Sequence, residues 1–98
     1  MLIPLSTSAA EAVPQGNLRR SLLFINPDGG INIYLKKERP GNTDLSTTNY
    51  DVRIAPGGSF SMNTNDDGEE AVQERWTALA ASGTPSLVVF ETKDKKYI

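Results

Sequence analysis

The chain has 98 residues and a formal net charge of −2, and this length predicts one domain. It contains neither cysteine nor histidine, which excludes a disulfide framework, a cysteine zinc site and a catalytic imidazole. The slightly acidic balance argues against a nucleic-acid partner, because phosphate binding needs a clustered excess of Lys and Arg, and no apolar run reaches the ~18 residues of a membrane span. We therefore expect a chain with no cofactor, no bound metal, no membrane partner and no enzymatic activity.

Residues 1–18 predict an extended N-terminal arm that precedes a single domain at residues 19–98. The segment is poor in charge and contains Ser, Thr, Ala and two prolines. It also holds more large apolar side chains than a solvated terminus needs. Two alternatives stay open, a flexible terminus and an arm that docks on a neighbouring subunit or on its own sheet. The apolar residues of the arm that we expect in a protein interface are Leu2, Ile3, Leu5 and Val13.

Residues 19–37 predict two strands joined as a hairpin. Residues 19–26 place apolar side chains on both faces, which indicates a strand covered on both sides. Residues 31–37 alternate apolar and polar side chains, as in a half-buried strand. The intervening Asn-Pro-Asp-Gly-Gly is a turn sequence, so the two strands are expected to pair. Tyr34, on the polar face of the second strand, is a candidate interface residue.

Residues 38–49 predict a long polar loop, a kind of segment that often carries function. Its candidate interface residues are Arg39, Asn42 and Leu45. Alternating patterns and turn sequences predict further strands at 50–54 and 59–62, and a buried strand at 86–92.

Residues 71–81 fit either a helix or a strand, because Ala and Glu favour helix whereas Trp and Thr favour strand. We expect a strand at about 74–81, after at most one helical turn. Trp76 suits a core and an interface equally well.

The strands and turns together predict an all-β fold, a small antiparallel β-sandwich or barrel with six to seven short strands and an extended N-terminal arm.

The acidic segment at 63–74 has the spacing of a calcium-binding loop, with one departure and one unfavourable neighbour. Asn63 stands where Asp is expected, and Glu70 occupies a position that is usually apolar. The preceding residues do not predict the entering helix of such a site. We therefore interpret residues 63–70 as an acidic, solvated turn between two strands, and a weak cation site in this loop stays open as the alternative. The matching positions are Asn63, Asn65, Asp67, Gly68 and Glu74.

Four stretches of the chain form an ordered set. They are Arg-Ser-Leu-Leu-Phe-Ile-Asn at 20–26, Ile-Tyr at 33–34, Ala-Pro-Gly-Gly-Ser at 55–59, and Ala-Leu-Ala-Ala-Ser-Gly-Thr at 78–84 leading into Leu-Val-Val-Phe-Glu at 87–91. The set resembles a group of small virion proteins of tailed bacteriophages and spans residues 19–92. The acidic segment and the long loop at 38–49 depart from that pattern.

The resemblance implies a β-sandwich component of the virus particle, of the kind that includes capsid decoration or cement proteins. Such a module would bind the major capsid protein or other virion proteins, would form homo-oligomers, and would reside in the virion, assembled in the host cytoplasm. Two alternatives stay open, a head–tail neck or tail component and a surface carbohydrate-binding module. Sugar sites usually use several exposed aromatic side chains, and the chain has one Trp, three Tyr and three Phe in all.

Overall fold

A computed structural model describes residues 1–38 and 44–93 of the chain. These residues form eight strands and one helix. None of the helical structure within them is long and apolar enough to span a membrane. The elements are β1 Leu2–Pro4, β2 Ala10–Val13, β3 Arg19–Ile25, β4 Ile33–Lys37, β5 Val52–Ile54, β6 Ser59–Asn63, α1 Thr64–Gln73, β7 Trp76–Ala80 and β8 Ser86–Lys93.

The strands form two four-stranded sheets in which every pairing is antiparallel. Sheet A has the order β1-β8-β3-β6 and sheet B the order β2-β7-β4-β5. Inward-facing apolar side chains of both sheets form a single cluster. The rings of Phe24 in sheet A and Trp76 in sheet B lie 5.9 Å apart, centroid to centroid. The expected all-β class is thus confirmed, and Trp76 belongs to the core.

Period-two alternation explains why these segments form strands. Leu22 and Phe24 of β3 point into the core with Leu87 and Val89 of β8, while their neighbours along each strand point outward. Aromatic and branched apolar side chains pack well on a pleated surface. Most of the described chain's large apolar side chains are therefore buried between the two sheets.

The predicted hairpin between residues 19–26 and 31–37 is wrong. β3 lies in sheet A and β4 in sheet B, so the turn between them crosses from one sheet to the other. The side chain of Asn26 is buried and donates hydrogen bonds to the carbonyls of Ile31 (2.7 Å) and Ile54 (3.0 Å). These bonds stabilise the turn where the chain passes from sheet A to sheet B. The Asn-Pro-Asp-Gly-Gly sequence is compatible with such a crossing and with a hairpin, so the residue types alone do not distinguish the two.

The expected extended arm at residues 1–18 is not confirmed, because most of this segment is built into the two sheets. β1 pairs with β8 in sheet A, and β2 pairs with β7 in sheet B. Leu5 and Val13 are buried in the shared core. The described residues therefore hold eight strands instead of six to seven. Strands of three and four residues are too short to show a periodic pattern.

The acidic segment is helical, so the predicted loop at 63–70 is wrong over most of its length. α1 contains a break at Gly68, whose φ of 84° and ψ of 162° are not helical. The Asp67 carboxylate accepts a hydrogen bond from the backbone N–H of Asn63 at 3.0 Å, which stabilises the first turn. Buried Val72 anchors the last turn in the core. The expected strand follows as β7, within the predicted range.

Candidate interaction surfaces

The outer face of sheet A presents apolar side chains to solvent. The strand register aligns Leu2 of β1 with Val88 of β8 and then with Ile25 of β3. A second row joins Phe90 of β8 to Leu23 of β3. Leu2 is 63% exposed and Phe90 is 56% exposed, whereas the other three side chains are half-buried. Contiguous exposed apolar side chains of this kind mark interaction sites more often than scattered ones do.

Hydroxyl and amide side chains border this apolar patch. The hydroxyls of Ser21 and Thr92 form a hydrogen bond of 2.6 Å at one end of the sheet. Ser59 and Ser61 of β6 lie beside Ile25 and Leu23. The paired positions that make up this surface carry no formal charge, and the exposed Arg20 of β3 and Lys93 of β8 lie beyond Ser21 and Thr92 at one end of sheet A. We call this surface the apolar face; it comprises Leu2, Pro4, Ser21, Leu23, Ile25, Ser59, Ser61, Asn63, Ser86, Val88, Phe90 and Thr92.

The outer face of sheet B has a different character. The rings of Tyr34 and Tyr50 meet edge to face with centroids 4.8 Å apart, and Tyr50 is 40% exposed. Arg53 of β5 is exposed opposite Tyr34. Lys36 follows on β4, with its ammonium 3.2 Å from the Asn49 side-chain oxygen. We call this surface the tyrosine face; it comprises Glu11, Tyr34, Lys36, Tyr50, Arg53 and Arg75.

Ion pairs hold Glu11, Arg75 and Lys36 of the tyrosine face in place. The Arg75 guanidinium lies 2.9 Å from the Glu11 carboxylate, which joins the residue before β7 to the edge strand β2. Lys36 lies 3.7 Å from the Asp44 carboxylate. Pairs as exposed as these contribute less than about 1 kcal/mol each. Their effect here is to fix a patterned, mixed-charge surface beside the two tyrosines.

A buried guanidinium ties three segments together at the end of α1. Arg19 is 1% exposed, and its Nε donates to the Val72 carbonyl at 2.7 Å. Its Nη2 donates to the carbonyls of Pro14 and Glu74, each at 2.9 Å. Carbonyls at a helix C-terminus lack partners within the helix, and a cation suits that end of the helix dipole. Arg19 therefore has a structural role.

The same guanidinium forms an ion pair with Glu91 of β8. The Nη1 of Arg19 lies 3.3 Å from one carboxylate oxygen of Glu91, and the ammonium of Lys93 lies 3.1 Å from the other. Partial burial alone raises the pKa of Glu91, but the hydrogen bonds and charges of Lys93 and Arg19 outweigh that effect and lower the pKa below its ordinary value of 4.5. Glu91 thus serves the fold as an ionised carboxylate.

The predicted interface residues of the N-terminal segment separate into two groups. Leu2 lies on the apolar face and is exposed, whereas Ile3 is half-buried against the core. Leu5 and Val13 are buried within the domain, so their side chains stabilise the fold. The structure therefore brings only Leu2 of this group to an outward surface.

The remaining predicted residues belong to sheet B or to the long loop. Tyr34 lies on the tyrosine face next to Tyr50. Leu45 is buried, and Arg39 and Asn42 lie outside the described residues. Sequence reasoning missed the apolar face, although apolar residues on both sides of residues 19–26 were its signal.

In residues 1–38 and 44–93, no group of three or more His, Cys, Asp or Glu side chains is arranged to hold a metal ion. The buried Glu38 carboxylate accepts a hydrogen bond from the Asp44 N–H at 2.8 Å. Its other oxygen and the Nη1 of Arg75 are buried without a hydrogen-bond partner in the described part of the chain.

Comparison with protein-family models, with curated proteins and with solved structures finds no match to this chain. The phage resemblance therefore stays a prediction from sequence. The two outer faces of the sheets are the surfaces through which the described chain can act on a partner.

Proposed function

We propose that the chain is a non-enzymatic structural module of a phage virion, a decoration or cement protein that binds and stabilises the assembled head. Its partners would be the major capsid protein or other virion proteins, and its place of action the virion.

We also class the two-sheet fold as a β-sandwich, since the register joins the described strands within two separate sheets that share one core.

The observation that carries the proposal is that the outer faces of both sheets have the composition of protein interfaces. The apolar face holds Leu2 and Phe90 in solvent. The tyrosine face combines Tyr and Arg, the side chains most enriched among residues that dominate binding energy. Because the two faces lie on opposite sides of one core, a single copy can contact two neighbours at once.

A two-sided module suits a role on a repeating shell. One face can bind the shell while the other contacts an adjacent module, and each contact raises the effective concentration for the next. Interfaces between proteins that fold independently are on average no more apolar than the rest of the protein surface, and they are enriched in Tyr and Arg. We therefore assign the shell contact to the tyrosine face.

Co-sedimentation with emptied phage heads tests this function. Purified protein is mixed with heads, pelleted, and the bound copies are counted on a gel. We expect saturable binding on the order of hundreds of copies per head, as a module repeated over the shell requires. The double variant Tyr34→Ala, Tyr50→Ala should bind at least tenfold more weakly, because tyrosine is enriched among the few interface residues whose truncation costs about 2 kcal/mol or more.

Leu18→Ala supplies the matched control. Leu18 is an exposed apolar residue that belongs to neither face, so its loss should leave head binding unchanged. Saturation at about a dozen copies would move the module to a neck or tail ring. Absence of binding to every particle tested would overturn the virion assignment.

A further inference from the structure

We infer that the apolar face binds a second copy of the same chain, so that two modules pack back to back through sheet A. The inference rests on the proposed function, because it treats the apolar face as an interface, and it names the occupant of that face. The face is built from the rows Leu2–Val88–Ile25 and Phe90–Leu23 with a border of Ser and Thr side chains.

The charge pattern selects a second copy as the occupant. In a twofold interface the same patch lies on both partners, so a charged residue near the axis meets its own like charge. The apolar face carries no formal charge near its centre, because the exposed Arg20 and Lys93 lie at the end of sheet A, beyond Ser21 and Thr92. The tyrosine face carries Lys36, Arg53 and Glu11. Only the apolar face therefore satisfies the electrostatic condition for self-contact.

Composition points to the same occupant. Interfaces between identical subunits are more apolar than interfaces with independently folded partners. The exposed apolar side chains Leu2 and Phe90 lie on adjacent strands, β1 and β8. A second copy covers them with the same kind of surface.

The size of the face sets the expected strength. Four strands spaced at about 4.8 Å, with about five residues each at a rise of about 3.3 Å, cover roughly 19 by 17 Å. With the relief of the side chains, we estimate roughly 500 Å² buried per copy, or about 1,000 Å² in total, the lower limit for a specific interface. The dimer should therefore be reversible and should depend on protein concentration.

Sedimentation equilibrium of the purified chain, without any phage particle, tests the inference. The apparent mass should rise from 10.6 kDa towards twice that value as the concentration increases from micromolar to millimolar. Phe90→Ser should stay at the monomer mass throughout, and Leu18→Ser, which also replaces an exposed apolar side chain by a hydroxyl but outside the apolar face, should dimerise like the wild type.

A charge-exchange pair identifies the partner as a second copy. An axis through the centre of the sheet, between β8 and β3, brings Phe90 of one copy next to Phe90 of the other. Phe90→Lys and Phe90→Glu should each be monomeric alone, because like charges then face each other, and their mixture should recover the dimer.

Wild-type protein that stays monomeric at millimolar concentration, or a Phe90→Ser variant that still dimerises, would overturn the inference. Neither result bears on head binding, which is measured separately with the tyrosine-face variants.

Discussion

Arg19 illustrates how one buried side chain can stabilise several elements. Its guanidinium satisfies carbonyls from the end of α1 and from Pro14 while it pairs with Glu91. Five N–H donors in a planar fork make this possible, and an ammonium has only three donors on one atom. The shape of the site therefore depends on arginine specifically.

Arg19→Lys should destabilise the fold by about 2–4 kcal/mol, because the carbonyls left behind are buried and lose their donors. Urea unfolding followed by circular dichroism measures this loss. Arg53→Lys is the control, since Arg53 is exposed and its replacement should change stability by less than about 0.5 kcal/mol. Equal midpoints for the two variants would contradict the structural role of Arg19.

Glu91 predicts a dependence of stability on pH. Its pKa is lower in the folded chain than its ordinary value, so its contribution is fully present above the unfolded pKa and is lost as the pH falls through the folded pKa. Glu91→Gln should lower stability at neutral pH, and the difference from the wild type should narrow below about pH 4.5. Unfolding midpoints across an acid series measure it. A difference that is constant with pH would contradict the ionised role of Glu91.

At the scale of elements, most connections cross from one sheet to the other. Asn26 stabilises one crossing with its two side-chain donors, and its backbone carbonyl accepts from the Gly57 N–H at 2.9 Å, which ties it to the crossing from β5 to β6. Gly57 has φ of +75°, a conformation that glycine adopts without strain. The two turns therefore support each other.

Asn26→Asp tests whether the side-chain amide donors matter more than the shape of the side chain. An aspartate keeps the size but places an anion against the carbonyls of Ile31 and Ile54, so stability should fall by at least about 2 kcal/mol, as much as for Asn26→Ala. Asn32→Asp, at a half-exposed position just before β4, is the matched control and should be near neutral. Thermal unfolding at neutral pH distinguishes the two, and a stable Asn26→Asp chain would contradict the bonding assigned to Asn26.

The positions of several strands can be predicted from the sequence, but the sheet to which each strand belongs and the presence of the helix cannot. The strand β4 follows from alternation, since it places its buried apolar side chains at period two, and β3 and β8 follow from short apolar runs bounded by turn residues. Sheet membership does not follow, because an Asn-Pro-Asp-Gly-Gly turn serves a hairpin and a crossing alike. The helix at 64–73 is also hidden, because Gly68 and a dense run of polar residues resemble a loop.

At the scale of the whole molecule, the two outer faces give the chain its capacity for contacts. Tyr34 is predicted from sequence because it is an aromatic residue on a polar strand face. The apolar face is not, because its members come from β1, β3 and β8, which are far apart in the chain and meet only through the register of sheet A. Apolar residues on both faces of residues 19–26 indicate that β3 contributes to some contact, but the local pattern does not show which strands complete the surface.

Deletion of residues 1–16 should abolish cooperative folding. The deletion removes β1 and β2, the edge strands that pair with β8 and β7, together with the buried side chains of Leu5 and Val13. Exposed strands would then invite aggregation. Leu2→Ser, which changes an exposed side chain of the same segment, should unfold cooperatively like the wild type. Urea titration compares the two, and a truncated chain that folds cooperatively would contradict the integral role of β1 and β2.

The pairing of β1 with β8 has a consequence for synthesis on the ribosome. The first strand of the described chain finds its partner in the last one, so sheet A stays incomplete until β8 has been translated. Contacts between such distant segments require closure of a long loop and slow the folding reaction. We expect the nascent chain to remain unfolded through most of translation and to fold only after β8 has left the exit tunnel, so that the interaction surfaces form late and all at once.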